Sequence, residues 1–197
     1  MARYRRTAIA ALAASALLLL LPTAAYADHN HHGVSTTSDD RGMSWGYYSG
    51  EVKDYEPDAD LTKYPKVKPD IFEDASASAV MIGMDGRSFF RLRVTGIDAK
   101  DGIYGVHLHQ GTCDAESFDA AQGHYNVAWN HLADLRDREV WLDLDVNSDG
   151  YARSTATVDF IPEGDRSIVL HALPTADDGT AGPRLACLPF NIKVYGD

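Results

Sequence analysis

The chain has 197 residues, two cysteines and a formal net charge of −11 at pH 7. That length suits one domain with a real core. The acidic balance argues against nucleic acid and anionic membranes as partners, so any anionic substrate has to be drawn in by local positive charge.

Arg3, Arg5 and Arg6 give the chain a basic start, and Ile9 to Leu21 is an uncharged run of apolar and small residues. Ala25-Tyr26-Ala27 then fits the small-x-small cleavage rule, so residues 1–27 are expected to be a secretory signal peptide. The run is short for a membrane span and polar residues follow it. No cysteine lies near the cut, which argues against a lipid anchor. Losing the three leader arginines would take the net charge from −11 to −14. The expected destination is extracellular, with no membrane attachment after cleavage. Disulfides persist there. Cys113 and Cys187 allow one internal pairing, with free thiols or an intermolecular bond as the alternatives. An internal bridge would contribute about 4 kcal/mol on the chain-entropy model.

Residues 28–70 read as an extension. They hold a histidine cluster (His29, His31, His32), a Ser/Thr/Asp stretch, an aromatic patch (Trp45, Tyr47, Tyr48) and Pro57, Pro65 and Pro69. No sustained period of 3.6 or 2 runs through them, so tail and linker are expected, with the aromatic patch able to pack on the domain. The histidine cluster, just after the expected cut, could bind copper or be a plain polar tail.

The pattern becomes β from about residue 72, and residues 71–197 are expected to form the domain. Ala77 to Met84 and Ser88 to Val94 flank Asp85-Gly86, a hairpin signal. In Tyr104 to His109, Val106 and Leu108 face one way and His107 and His109 the other. Val140 to Val146 alternates towards its end. Asp149-Gly150 turns into Tyr151 to Phe160, where Ala152, Ser154, Ala156 and Val158 share a face. Ser167 to Leu173 and Leu185 to Val194 add further strands. Short strands with turn signals and no convincing amphipathic helix predict an all-β sandwich or barrel.

Eight histidines remain after residue 27, five of them at His107, His109, His124, His131 and His171. On a strand, His107 and His109 project from one face, a natural pair of copper or zinc ligands. Alone, the pair also fits a half-exposed strand carrying two surface histidines.

Further segments give the pair a context. They are Gly105-Val106-His107-Leu108-His109, Gly111-Thr112-Cys113-Asp114 and Gly123-His124-Tyr125-Asn126. Asn147-Ser148-Asp149-Gly150, Ile168-Val169-Leu170-His171, Asp177-Asp178-Gly179 and Ala181-Gly182-Pro183-Arg184-Leu185-Ala186-Cys187 follow in order. Over about residues 75–190 the chain resembles the copper/zinc superoxide dismutases. The resemblance implies a Greek-key fold of about eight antiparallel strands. It implies copper held by His107, His109, His124 and His171, with His124 at the position of the imidazole that bridges copper and zinc. It implies a Cys113–Cys187 disulfide, with Arg184 guiding superoxide to the metal.

The zinc half departs from the family pattern. His131 and Asp134 resemble its terminal His-x-x-Asp pair, but another zinc histidine has no counterpart. Three ligands plus water would make a poor structural zinc site. The segment between His171 and Arg184 is short, as in the copper-only branch. Asp177 or Asp178 is either an aspartate that orients metal histidines or a plain turn residue. The expected function is an extracellular superoxide dismutase that depends on copper. The alternatives are a copper-buffering protein of the same fold and a structural domain.

Overall fold

The computed structural model describes residues 43–54, 70–98, 102–114, 117–127 and 134–194. The expected leader, the N-terminal histidine cluster and His131 lie outside them.

The first strand, β1, spans Ser44–Glu51 and is followed by the short β2, Lys53–Asp54. The hairpin signal resolves into β3, Ser76–Met84, and β4, Arg87–Thr95, joined at Asp85 and Gly86. Both turn residues have positive φ, 54° and 76°, as a two-residue turn matched to strand twist requires. Every second residue of β4 is buried, with Phe90, Leu92 and Val94 in the core. Next come β5 (Gly102–Tyr104), β6 (Val106–His109), β7 (Leu144–Val146), β8 (Ala152–Val158), β9 (Gly164–His171) and β10 (Arg184–Val194). The described helical structure is a 3-10 turn at Phe118–Ala121 and one helical turn, α1, at Leu135–Arg138.

One antiparallel sheet runs in the order β6-β9-β10-β1-β3-β4-β8, with β2 against β10, and β5 pairs with β7 separately. The segment before β7 extends that second pairing, because Leu108 N–H donates to Val140 O and Leu142 N–H to Val106 O. A turn at Asn147 to Tyr151 leads from β7 into β8. The sheet thus curls round on itself, and the connections from β4 to β5 and from β8 to β9 pass to non-adjacent strands, a Greek-key pattern. The enclosed core takes Phe72, Met81, Phe90, Leu92, Leu108, Leu144, Leu170, Leu185 and Phe190, all at most 2 % exposed. The all-β sandwich or barrel expected from the sequence is the fold observed.

One boundary moves. Residues 44–51 were expected in a linker, but β1 pairs with β3 over its whole length and with β10 at its start. Its period-2 signal is weak because glycine and serine fill inward positions: Ser44 and Gly46 are buried, while Trp45 and Tyr47 face outward. A Cβ at Gly46 would lie 2.8 Å from the Phe190 ring, so the position has no room for the apolar side chain that would have marked the strand. The domain therefore begins before residue 71.

Cys113 and Cys187 form a disulfide closing a separation of 74 residues. No helix among the described residues is long and apolar enough to cross a membrane.

Candidate metal centre

Strand β6 supplies two histidines. All four of its residues are buried, with His107 at 0 % and His109 at 1 % exposure, so both imidazoles point into the protein rather than towards solvent. β9 lies alongside, with His107 opposite Val169 and His109 opposite Ser167, and ends at His171. His124 arrives on the loop after the 3-10 turn and bridges His109 across the backbone. That loop packs tightly enough that a Cβ on Gly111 would sit 1.8 Å from Ala120 O, which forces glycine there. One ring nitrogen from each of His107, His109, His124 and His171 lies within 4.8 Å of one from every other.

Hydrogen bonds fix which nitrogen each ring turns inward. His109 Nδ1–H donates to Gln122 O at 2.9 Å and His171 Nδ1–H to Gly182 O at 3.0 Å. Carbonyl oxygens only accept, so both rings carry hydrogen on Nδ1 and present a bare Nε2. His124 Nδ1 lies 3.0 Å from Glu139 Oε2, leaving Nε2 for the centre. His107 is turned the other way. The Thr175 hydroxyl donates to Asp143 Oδ1 at 2.6 Å, so at 2.8 Å it accepts from His107 Nε2–H. His107 Nδ1 is then buried with no hydrogen-bond partner.

The centre is thus a donor set of one Nδ1 and three Nε2 lone pairs. Burial first, then the neighbouring imidazoles, holds His107 far below its ordinary pKa and brings His109 down to about 2. Burial also lowers His171 to about 4, although its bond to Gly182 O opposes the shift. These rings are neutral at pH 7. His109 Nε2 and His171 Nε2 stand 3.4 Å apart, two lone pairs with no proton between them. An orphaned buried Nδ1 and facing lone pairs are what a bound cation would satisfy, and imidazole donors suit copper, zinc and nickel.

Around the rings lies a second layer that sequence reading missed. Glu139 accepts from His124, from Asn126 Nδ2 at 2.8 Å and from Trp141 Nε1 at 2.9 Å. Burial raises its pKa, but the bonds from His124, Trp141 and Asn126 outweigh burial and hold the carboxyl below its usual range. An Asn126–Glu139 backbone bridge sets the carboxylate beside His124. Trp141 meets the His107 ring edge-on at 5.7 Å, under the Arg136 guanidinium 4.3 Å from its centroid. A lone glutamate between short strands carries no ligand spacing, so nothing in the sequence singles it out.

The remaining expected residues fall as follows. Arg184 lies opposite His171, where a β-bulge between Arg184 and Ala186 breaks the register with β9. Its Nη2 donates to Gln122 O at 2.7 Å, the carbonyl that also accepts from His109. Asp134 is exposed just ahead of α1. Asp178 bonds Thr180 within its own turn, so it is a turn residue. The aspartate that orients a histidine is Asp143, acting through Thr175.

No family model matches the chain, and no curated protein matches it.

Proposed function

We propose that the protein is an extracellular superoxide dismutase that uses copper alone, held by His107 Nδ1 and the Nε2 atoms of His109, His124 and His171. The observation that carries this is the convergence of four imidazole rings, with one fixed guanidinium tied to the same backbone carbonyl as His109. Copper supplies a one-electron couple, which suits a reaction that oxidises one superoxide to oxygen and reduces another to peroxide.

The chain's own residues do the rest. Arg184 cannot lose its proton and offers several donors, so it attracts and orients a small anion beside the histidines. Peroxide formation consumes two protons per turnover. His124 is the ring open to solvent, with 20 % of its side chain exposed while the other three are buried, so it marks the side from which protons would reach the centre. Glu139 fixes that ring through Nδ1. In a zinc-bridging role Nδ1 would face a second metal; the bond to Glu139 supports a single-metal reading.

The test is dismutation by the copper-loaded protein, measured by pulse radiolysis. Turnover supports the enzyme. Stoichiometric copper without dismutation would favour the copper-buffering alternative, in which Arg184 would have no task.

A further inference from the structure

Far from the histidines in the register, the outer face of the main sheet carries three cross-strand rows. In the first, Lys193, Trp45, Ile82, Phe89 and Thr157 stand directly opposite one another across β10, β1, β3, β4 and β8. The second is Tyr47, Val80, Arg91 and Thr155, and the third is Ser49, Ser78, Arg93 and Arg153. Tyr47, Ile82, Met84 and Phe89 are between 44 and 59 % exposed. Arg91, Arg93 and Arg153 are exposed and make no ion pair among the described residues, whereas Arg87 on the same strand pairs with Asp159 at 2.7 Å. Arg93 and Arg153 face each other directly, and like charges so placed weaken a sheet. A bound anion would remove that repulsion. Arg93 also lines an open groove of about 380 Å³, together with Ser49, Glu51, Ser78 and Thr95.

We propose that this face docks on an anionic phospholipid surface, with Trp45, Tyr47, Ile82 and Phe89 against the interfacial layer and the arginines on the phosphates. Tryptophan and tyrosine suit that layer because an apolar ring carries a polar tip. Arginine beside it supplies charge complementarity. The net charge of the whole chain points away from such a surface, but at physiological salt the field of the acidic remainder is screened within about 8 Å. A soluble polyanion would account for the arginines and leave the apolar row without a purpose. A second copy packed about a two-fold axis on this face would bring both sets of arginines into one interface. The inference is independent of the copper reading.

The test is co-sedimentation of the protein recovered from culture medium with vesicles of phosphatidylcholine alone or mixed equally with phosphatidylglycerol. Binding is expected only to the mixed vesicles, weakening as salt rises. The double variant Arg91→Glu/Arg93→Glu should lose at least about 25-fold in binding, since each cation near an anionic surface is worth about fivefold. Ile82→Ser/Phe89→Ser should also weaken binding, with the thermal melt showing that each variant still folds. Equal affinity for the two vesicle types would overturn the proposal. So would heparin binding that survives loss of Ile82 and Phe89 without vesicle binding, or a dimer in sedimentation velocity that those two changes dissolve.

Discussion

His124 and Glu139 share a hydrogen bond of 3.0 Å between Nδ1 and Oε2, and this one contact decides what else His124 can hold. A ring that bridges two metals must give a nitrogen to each. Here one nitrogen faces the other histidines and the second faces a carboxylate held by Asn126 and Trp141. The protein should therefore reach full dismutase activity after reconstitution with copper alone, and added zinc should raise neither activity nor zinc content. Elemental analysis beside the activity assay checks this. Activity that appears only with zinc would defeat the single-metal reading.

Thr175 sets the orientation of His107 by accepting from its Nε2–H while donating to Asp143. Thr175→Val keeps the shape and removes the acceptor. Copper affinity should fall about 10- to 100-fold, the usual effect of removing a group that orients a ligand. Competition titration against a copper chelator measures it. His109→Ala, which removes a ligand outright, should abolish tight copper binding and activity, while the disulfide and the β-rich circular dichroism persist. Unchanged copper stoichiometry in that variant would sink the site assignment.

The buried rings also predict how the metal-free protein responds to acid. His109 is held at about 2 and His171 at about 4 in the folded chain, against about 6.5 for an unfolded histidine. Between pH 6.5 and 4 the unfolded chain binds more protons, so stability rises with pH through that window. As pH falls from about 6.5 to 4, each of these rings should cost up to about 1.4 kcal/mol per pH unit. Thermal melts of the chelator-treated protein across that range test this, and His109→Gln/His171→Gln should flatten the profile. A melting temperature independent of pH in the wild type would contradict the burial of neutral rings.

The strands that were legible in the sequence are those with a clean alternation or a turn signal. β3 and β4 meet at Asp85-Gly86 because those two residues favour positive φ, and the run from Ser76 to Thr95 emerged nearly as read. The four clustered histidines sit on segments far apart in the chain, and only the order of the surrounding motifs suggested that they converge. β1 was not legible, since three of its inward positions, Ser44, Gly46 and Gly50, lack an apolar side chain and only Tyr48 packs on the core. Glu139, Thr175, Asp143 and Gln122 were not legible either. Each acts through hydrogen bonds made only by tertiary packing, which leave no period or spacing in the sequence. Gln122 is the clearest case: it holds φ 57° and ψ −154°, a conformation that glycine tolerates and other residues pay for, and its carbonyl serves two partners at once.

That carbonyl leads to the last prediction. Gln122 O accepts from His109 Nδ1 at 2.9 Å and from Arg184 Nη2 at 2.7 Å, so the arginine is anchored one atom away from a ring of the centre. Its charge contributes to the lowered pKa of both His109 and His171, so its field reaches the site. Two features hold it there: the bulge between Arg184 and Ala186, and the Cys113–Cys187 bond that ties the loop after β6 to β10. On a chain whose net charge is −11, a fixed cation beside the histidines supplies the local attraction that the overall field lacks. Arg184→Lys keeps the charge and loses the fork, while Arg184→Glu reverses the charge. The glutamate variant should lose more of the dismutation rate than the lysine variant, with copper content unchanged in both. The gap between wild type and the glutamate variant should narrow as salt rises and screening shortens the reach of the charge. Reducing the disulfide should also lower the rate, because the loop that carries Gln122 is then freed from β10. Equal rates for wild type and Arg184→Glu at low salt would end this account of anion guidance and leave the four-histidine centre standing.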